Sequence, residues 1–173
     1  MLRKRLKPTK QMQTVVDVNK IFEEIAANHK QLQKFYTYSL DDLDIDKIDV
    51  NLFPLLYAQC TSADIDGGAT TFTYEVIVAD LVIEKQTDEN QDNVTQVYGE
   101  TLLIMQDVIA QFVFNMNSQS ILNSEIPNTV WGFDTPISCD PFTARFDNML
   151  TGWSTSFNIT VPNALNLCIA PYS

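Results

Sequence analysis

The stretch from Phe53 to Phe114 constrains the fold more than any other part of this chain. It passes from an apolar segment, through a gap holding Gly67 and Gly68, into a long strand-like segment, a polar loop and an amphipathic helix. Residues 53–60 are apolar and aromatic, and Pro54, which has no N–H to give a ladder, belongs at a strand start or on an edge. Residues 61–69, with Asp64, Asp66 and the two glycines, read as the loop of a β-hairpin. Residues 70–83 are the longest strand candidate, with Phe72, Tyr74, Val76, Val78 and Val82 on one face. The other face changes from Thr71, Thr73 and Glu75 to Ile77, Ala79, Leu81 and Ile83, so the second half should be covered on both sides.

After a polar loop at 84–93, which contains Asp88 and Glu89, the apolar positions Val94, Val97, Tyr98, Leu102, Met105, Val108, Ile109, Phe112 and Val113 recur every three or four residues. That spacing predicts a helix, with Asp92 or Asn93 as its N-cap. Gly99 costs about 1 kcal/mol relative to alanine inside a helix, and its presence suggests close approach by another backbone. Upstream, Val15, Val18, Phe22, Ile25, Leu32 and Tyr36 predict a first amphipathic helix over residues 15–36. Residues 40–50 alternate apolar residues with Asp42, Asp44 and Asp46, as a short strand or extended arm with one acidic face does. Downstream, strands are expected around 143–148 and, more firmly, at 152–161, where Trp153, Thr155, Phe157, Ile159 and Val161 share a face. The sum is one α+β domain: an antiparallel sheet with a long β-hairpin, packed against two amphipathic helices. A basic arm (1–14) precedes the domain (15–161), and an apolar docking tail (162–173) follows it.

Charge divides the chain. Arg3, Lys4, Arg5, Lys7 and Lys10 are five of eleven basic residues, and no acid lies among the first ten positions. The remainder has six basic residues against twenty-two acids, a net of −16. Phosphate affinity comes from Lys and Arg, so the general surface is unsuited to nucleic acid, and only the arm has the charge for it. No apolar core of about seven residues follows the arm, so no secretory signal is expected. No apolar run approaches the ~18 residues of a membrane span, and the reading is a soluble protein.

Chemistry-bearing motifs are sparse. Cys60, Cys139 and Cys168 lack the paired spacing of zinc or redox sites and read as free thiols in a reducing compartment, where the acceptor patterns at Asn93 and Asn158 are chance matches. Asp42, Asp44 and Asp46 imitate the start of a calcium loop, but Lys47 stands where glycine is required and Phe53 where a bidentate glutamate is needed. His29 is the only histidine and reads as a polar spacer at a helix interface rather than a base or ligand. Asp80 interrupts an apolar face, as acids with raised pKa do, yet no second group stands at a recognisable spacing. Trp131 and Trp153 suit core packing better than ligand stacking. Phosphate loops, dinucleotide fingerprints, zincin motifs and nucleophile elbows are absent, so no catalytic, cofactor or metal residues are expected.

Certain residues nonetheless carry a likeness. The first helix, Phe35-Tyr36-Thr37-Tyr38, the strand opened by Phe53-Pro54-Leu55, the long strand ending at Val78-Ala79-Asp80, the Asp/Asn-rich loop and the helix starting Asn93-Val94 resemble tail-terminator and neck proteins of tailed bacteriophages. The segment from Phe146 to Trp153, followed by an alternating strand, resembles them too, so the likeness runs from about Val15 to Val161. It implies a virion protein, assembled in the host cytoplasm, that forms a six-fold or twelve-fold ring at the head-to-tail junction or the end of the tail. Its partners would be its own copies and other neck, portal or tail proteins, with DNA passing through unbound and no membrane involved. Subunit contacts are then expected from Arg3, Lys4 and Arg5 in the arm, Asp42, Asp44 and Asp46, the hairpin's Asp64 and Asp66, Asp88 and Glu89 in the loop, and Tyr172 in the tail. The competing expectation is a protein-binding adaptor that takes an extended peptide onto an exposed sheet edge.

Overall fold

The computed structural model describes residues 14–37, 49–82, 93–118, 132–145 and 150–162. Helix α1 (Val15–Asn28) begins where a threonine precedes an acid by three positions. The Thr14 N–H and hydroxyl both donate to the Asp17 carboxylate, at 2.8 and 2.9 Å. Negative charge is favoured there by the unpaired N–H groups of the first turn. Val18, Ile21, Phe22, Ile25 and Ala26 form the buried stripe.

The helix stops at Asn28, short of the expected Tyr36. His29 takes an extended backbone, and its Nδ1 accepts from the Gln31 and Leu32 N–H groups at 3.3 and 3.4 Å. Leu32 and Tyr36 continue the helical spacing in sequence but lie beyond the helix. Phe35 and Tyr36, good strand formers, pair instead in strand β1 (Lys34–Tyr36). Of the expected acidic strand at 40–50, residues 40–48 lie outside the described ones; Val50–Leu52 form a 3-10 turn capped by Asp49, whose Oδ1 accepts from the Asn51 N–H at 2.9 Å.

The remaining elements are β2 (Leu55–Ile65), β3 (Ala69–Leu81), helix α2 (Val94–Ser118), β4 (Gly132–Phe133), β5 (Cys139–Arg145) and β6 (Leu150–Pro162). The strands run β1-β2-β3-β6-β4, with β5 also paired to β6. All pairs are antiparallel except β1 with β2, which corrects the expected all-antiparallel sheet to a mixed one. The connection from 37 to 54 is long enough for the crossover that a parallel pair needs. A bond from the Gln33 N–H to the Pro54 carbonyl, 2.9 Å, ties the two strand starts together.

The fold is thus α+β: among the described residues, a six-stranded mixed sheet with two α-helices. Both helices pack on one face. Phe22 of α1 is the hub there, its ring centroid 4.9 Å from Phe112, 5.2 Å from Tyr74, 6.1 Å from Phe157 and 6.3 Å from Phe35. Aromatic pairs of this kind add about 0.5–1.5 kcal/mol beyond the area they bury. On the opposite face Phe53, Leu55, Tyr57, Ile77, Ala79 and Leu150 form a smaller cluster with Tyr36, Leu81 and Phe142. The second half of β3 is therefore covered on both sides, as its changing pattern predicts.

Strand β5 starts four residues before the expected 143. Pro141, which argues against a central strand, is tolerated because β5 pairs only with β6 among the described strands. In β6 the predicted face of Trp153, Thr155, Phe157, Ile159 and Val161 is realised, with Phe157, Ile159 and Val161 in the main core. Near its start, β6 approaches β3 so closely that a Cβ on Gly152 would lie 2.0 Å from the Val78 carbonyl oxygen.

Candidate interaction surface

The hairpin of β2 and β3 extends further than its sequence suggests. Residues 61–65, polar enough to read as loop, continue β2, and the connection shrinks to Asp66, Gly67 and Gly68. The Asp66 N–H donates to the Ala69 carbonyl at 2.9 Å, and the Asp66 carboxylate accepts from the Gly67 N–H at 2.6 Å. Thr61, Ser62, Ala63, Asp64 and Ile65 are all exposed, so polarity here reflects a strand open to solvent rather than a loop.

A one-residue bulge shapes this outer part. Cys60 pairs with Tyr74 but Ser62 with Thr73, leaving Thr61 as the extra residue. Its hydroxyl donates to the Thr73 carbonyl at 3.3 Å, and the Cys60 Sγ donates to the Ser62 carbonyl at 3.3 Å. Side chains alternate along a strand, so the insertion reverses the faces beyond it. Ala63 and Ile65 pair with Phe72 and Thr70 on the helix side, while Ser62 and Asp64 pair with Thr73 and Thr71 on the other. Ile65 is left 65% exposed. The outer edge of β2 is paired with β1 only at Leu55, Leu56 and Tyr57; from Ala58 to Ile65 it meets no described strand.

Helix α2 supplies a second unusual surface. By length and composition Val94–Phe114 is apolar enough to cross a membrane, yet only a third of its apolar window is buried. Its inner side carries the buried Val97, Thr101, Ile104, Met105, Val108 and Phe112 and packs on β3 and β6. Gly99, Leu103, Gln106 and Ala110 form an exposed outer stripe, with Leu103 at 58% exposure. A surface helix of a monomer ordinarily turns charged residues outward. Across the whole of α2 the only charged side chains are Glu100 and Asp107. Nothing among the described residues lies within 4 Å of a Cβ built on Gly99, so the close backbone approach expected there is not made by any of them.

The residues with chemical potential are tied into the fold. His29 bridges the helices: with Nδ1 accepting, Nε2 carries the proton and donates to Asp107 on α2 at 3.3 Å. Trp153 donates from Nε1 to the Tyr98 carbonyl at 2.9 Å and meets the Tyr98 ring edge-on, which fixes the start of α2 on β6. Trp131 lies outside the described residues. Asp80 is half-buried on the helix side of β3, its Oδ1 accepting from the Leu81 N–H at 2.7 Å. Burial pushes its carboxyl above the usual range, the Leu81 N–H opposes this, and the Glu100 carboxylate adds to it. Its cross-strand neighbour Thr151 is fully buried, with no hydrogen-bond partner for its hydroxyl among the described residues. Burial also raises the Cys60 and Cys139 thiols, away from the reactive thiolate.

Two open clefts border the sheet. One, of about 190 Å³, lies between α1 and β1 beside Glu23 and Lys34; the other, of about 430 Å³, lies between β4 and β5 beside Asp134 and Asp140. Among the described residues no group of three His, Cys, Asp or Glu side chains is placed to hold a metal ion.

Of the expected contact residues, the structure places Asp64 and Asp66, both exposed on the outer hairpin. Arg3, Lys4, Arg5, Asp42, Asp44, Asp46, Asp88, Glu89 and Tyr172 lie outside the described residues. Ile65 and Leu103 are contact candidates that the pattern conceals: the first stands in a polar run, and the second falls off the helical stripe of α2. No protein-family model matches the chain, and no curated protein matches it either.

Proposed function

We propose that this chain is a structural subunit that assembles with its own copies, as a ring of the neck or tail of a tailed bacteriophage. The observation that carries the reading is the outer hairpin: an exposed strand segment, Thr61–Ile65, whose edge pairs with no strand among the described residues and which has an apolar residue at its end. Monomers blunt such edges, because unpaired N–H and C=O groups invite another chain. The weakly charged outer stripe of α2, with Leu103 exposed at its centre, supports the same conclusion. An acidic body suits a ring around passing DNA, which it repels and so does not grip. The subunit count is six or twelve on this reading, and the work is positional rather than chemical.

Light scattering on the chromatographed protein, followed by negative-stain imaging, tests this. The expected result is a closed ring of defined subunit number, formed alone or on adding neck and tail components. A chain that stays monomeric at high concentration and beside those components overturns it. The open edge also fits an adaptor that binds an extended peptide, and a one-to-one complex from a monomer would establish that function instead.

A further inference from the structure

Resting on the assembly reading, we infer that the open edge of β2 receives the amino-terminal arm of a second copy, residues 2–7, as an added strand. Three features of the edge match that segment. The first is length: the edge left unpaired by the described strands runs from Ala58 to Ile65, and the arm offers Leu2 to Lys7 before Pro8, which ends a strand on the ladder side. The second is alternation. In an extended arm Leu2, Lys4 and Leu6 share one face and Arg3, Arg5 and Lys7 the other.

The third is what the bulge at Thr61 does to the receiving surface. It sets Ala63 and Ile65 on the helix side, where Leu2 or Leu6 would cover one and the aliphatic stem of Lys4 the other, and Asp64 on the opposite side with Glu75, where the three cations would lie. Without the bulge the apolar and acidic sides would be exchanged beyond Cys60, and the arm could match only one of its patterns. The charge is complementary too: residues 2–7 hold four cations and no acid, and the chain beyond residue 10 has a net charge of −16. The aspartate-rich residues 41–49, the nearest competitor in the same chain, would bring like charge to Asp64.

The test is zero-length carbodiimide coupling, which joins a lysine amine to a carboxylate in contact, on an equal mixture of unlabelled and isotope-labelled full-length chain. Peptides joining Lys7 to Asp64 or Glu75 are expected with mixed labels, and deletion of residues 1–13 is expected to lower assembly at least tenfold. Reversing Arg3 and Arg5 to glutamate should act in the same direction, with the difference shrinking as salt rises. Single-label peptides alone would mean that each arm folds onto its own edge and would overturn the inference. Rings that form equally well without residues 1–13 would overturn it while leaving the assembly reading intact. A chain that is monomeric with and without the arm would overturn both.

Discussion

Two glycines test the description of this molecule by the same substitution with opposite expected signs. Gly152→Ala places a methyl carbon 2.0 Å from the Val78 carbonyl oxygen and 2.9 Å from the Ala79 Cα, both backbone atoms that cannot rotate away. Ordinary contact requires about 3.4 Å or more, so β3 and β6 must part by more than 1 Å where Ala79 pairs with Gly152. That pair lies in the ladder from Ala69–Pro162 to Leu81–Leu150, with Val78, Ala79 and Thr151 fully or nearly fully buried. Overpacking of a rigid core costs about 1–3 kcal/mol, and a backbone clash belongs at or above the top of that range. Gly99→Ala meets nothing within 4 Å, so helix propensity decides and the gain is about 1 kcal/mol. For a chain of this size each kcal/mol moves the melting midpoint by about 2–4 °C. Thermal unfolding followed by circular dichroism should therefore show Gly152→Ala about 6–12 °C lower and Gly99→Ala about 2–4 °C higher. A Gly152→Ala protein melting with the parent would refute the close approach of β3 and β6. A destabilised Gly99→Ala protein, measured as a monomer, would refute the open surface on α2.

Asp80→Asn keeps the oxygen that accepts the Leu81 N–H and removes a charge that burial disfavours, so it should raise stability at neutral pH. The folded carboxyl titrates above its unfolded value, so the parent protein gains from Asp80 as pH falls through that raised value and loses this as pH rises; the variant's advantage in urea unfolding should vanish at the acid end. Tyr74→Phe loses the hydroxyl that donates to the Asn19 side chain at 2.8 Å and leaves that buried contact unmade, a cost of about 1–2 kcal/mol in the same assay. Burial raises the Tyr74 phenol, so its contribution is full below the ordinary tyrosine value and is lost in alkali; the parent's advantage over Tyr74→Phe should shrink there. Leu103→Glu should change the melting of a monomer by no more than about 0.5 kcal/mol equivalent, because the side chain is exposed, while lowering assembly in light scattering.

The elements of this fold were legible wherever one face of an element is buried within the same chain. Helix α2 shows it: Val97, Met105, Val108 and Phe112 mark the buried side, and the predicted start at Val94 is the observed one. The face of β6 holding Phe157, Ile159 and Val161 is read just as directly. Failures occur where backbone geometry overrides the pattern. Leu32 and Tyr36 keep helical spacing, but one histidine ring accepting two N–H groups ends α1 before them. The parallel placement of β1 has no local signal at all, because a crossover is a property of the chain's path rather than of its side chains. Gly152 reads as a strand boundary, and only the 2.0 Å approach of Val78 explains why no side chain stands there.

A further kind of failure has a common cause and bears on function. Residues 61–65 read as loop because neither face shows an apolar pattern, and Leu103 reads as an irregularity because it falls outside the stripe of α2. Periodicity records burial, and a residue buried only against another molecule need not follow the period of its own chain's core. The sites that pattern misplaces are therefore where contacts between chains are expected, provided that they are exposed and not explained by a bond at home. Thr61 and Ser62 have such bonds, to the Thr73 carbonyl and from the Cys60 thiol; they build the bulge. Ile65 and Leu103 are apolar and exposed at 65% and 58%, and burying either on assembly would contribute roughly 1 kcal/mol or more. In a closed ring that contribution would recur at every subunit boundary, adding to what the hairpin edge supplies once it has set the register.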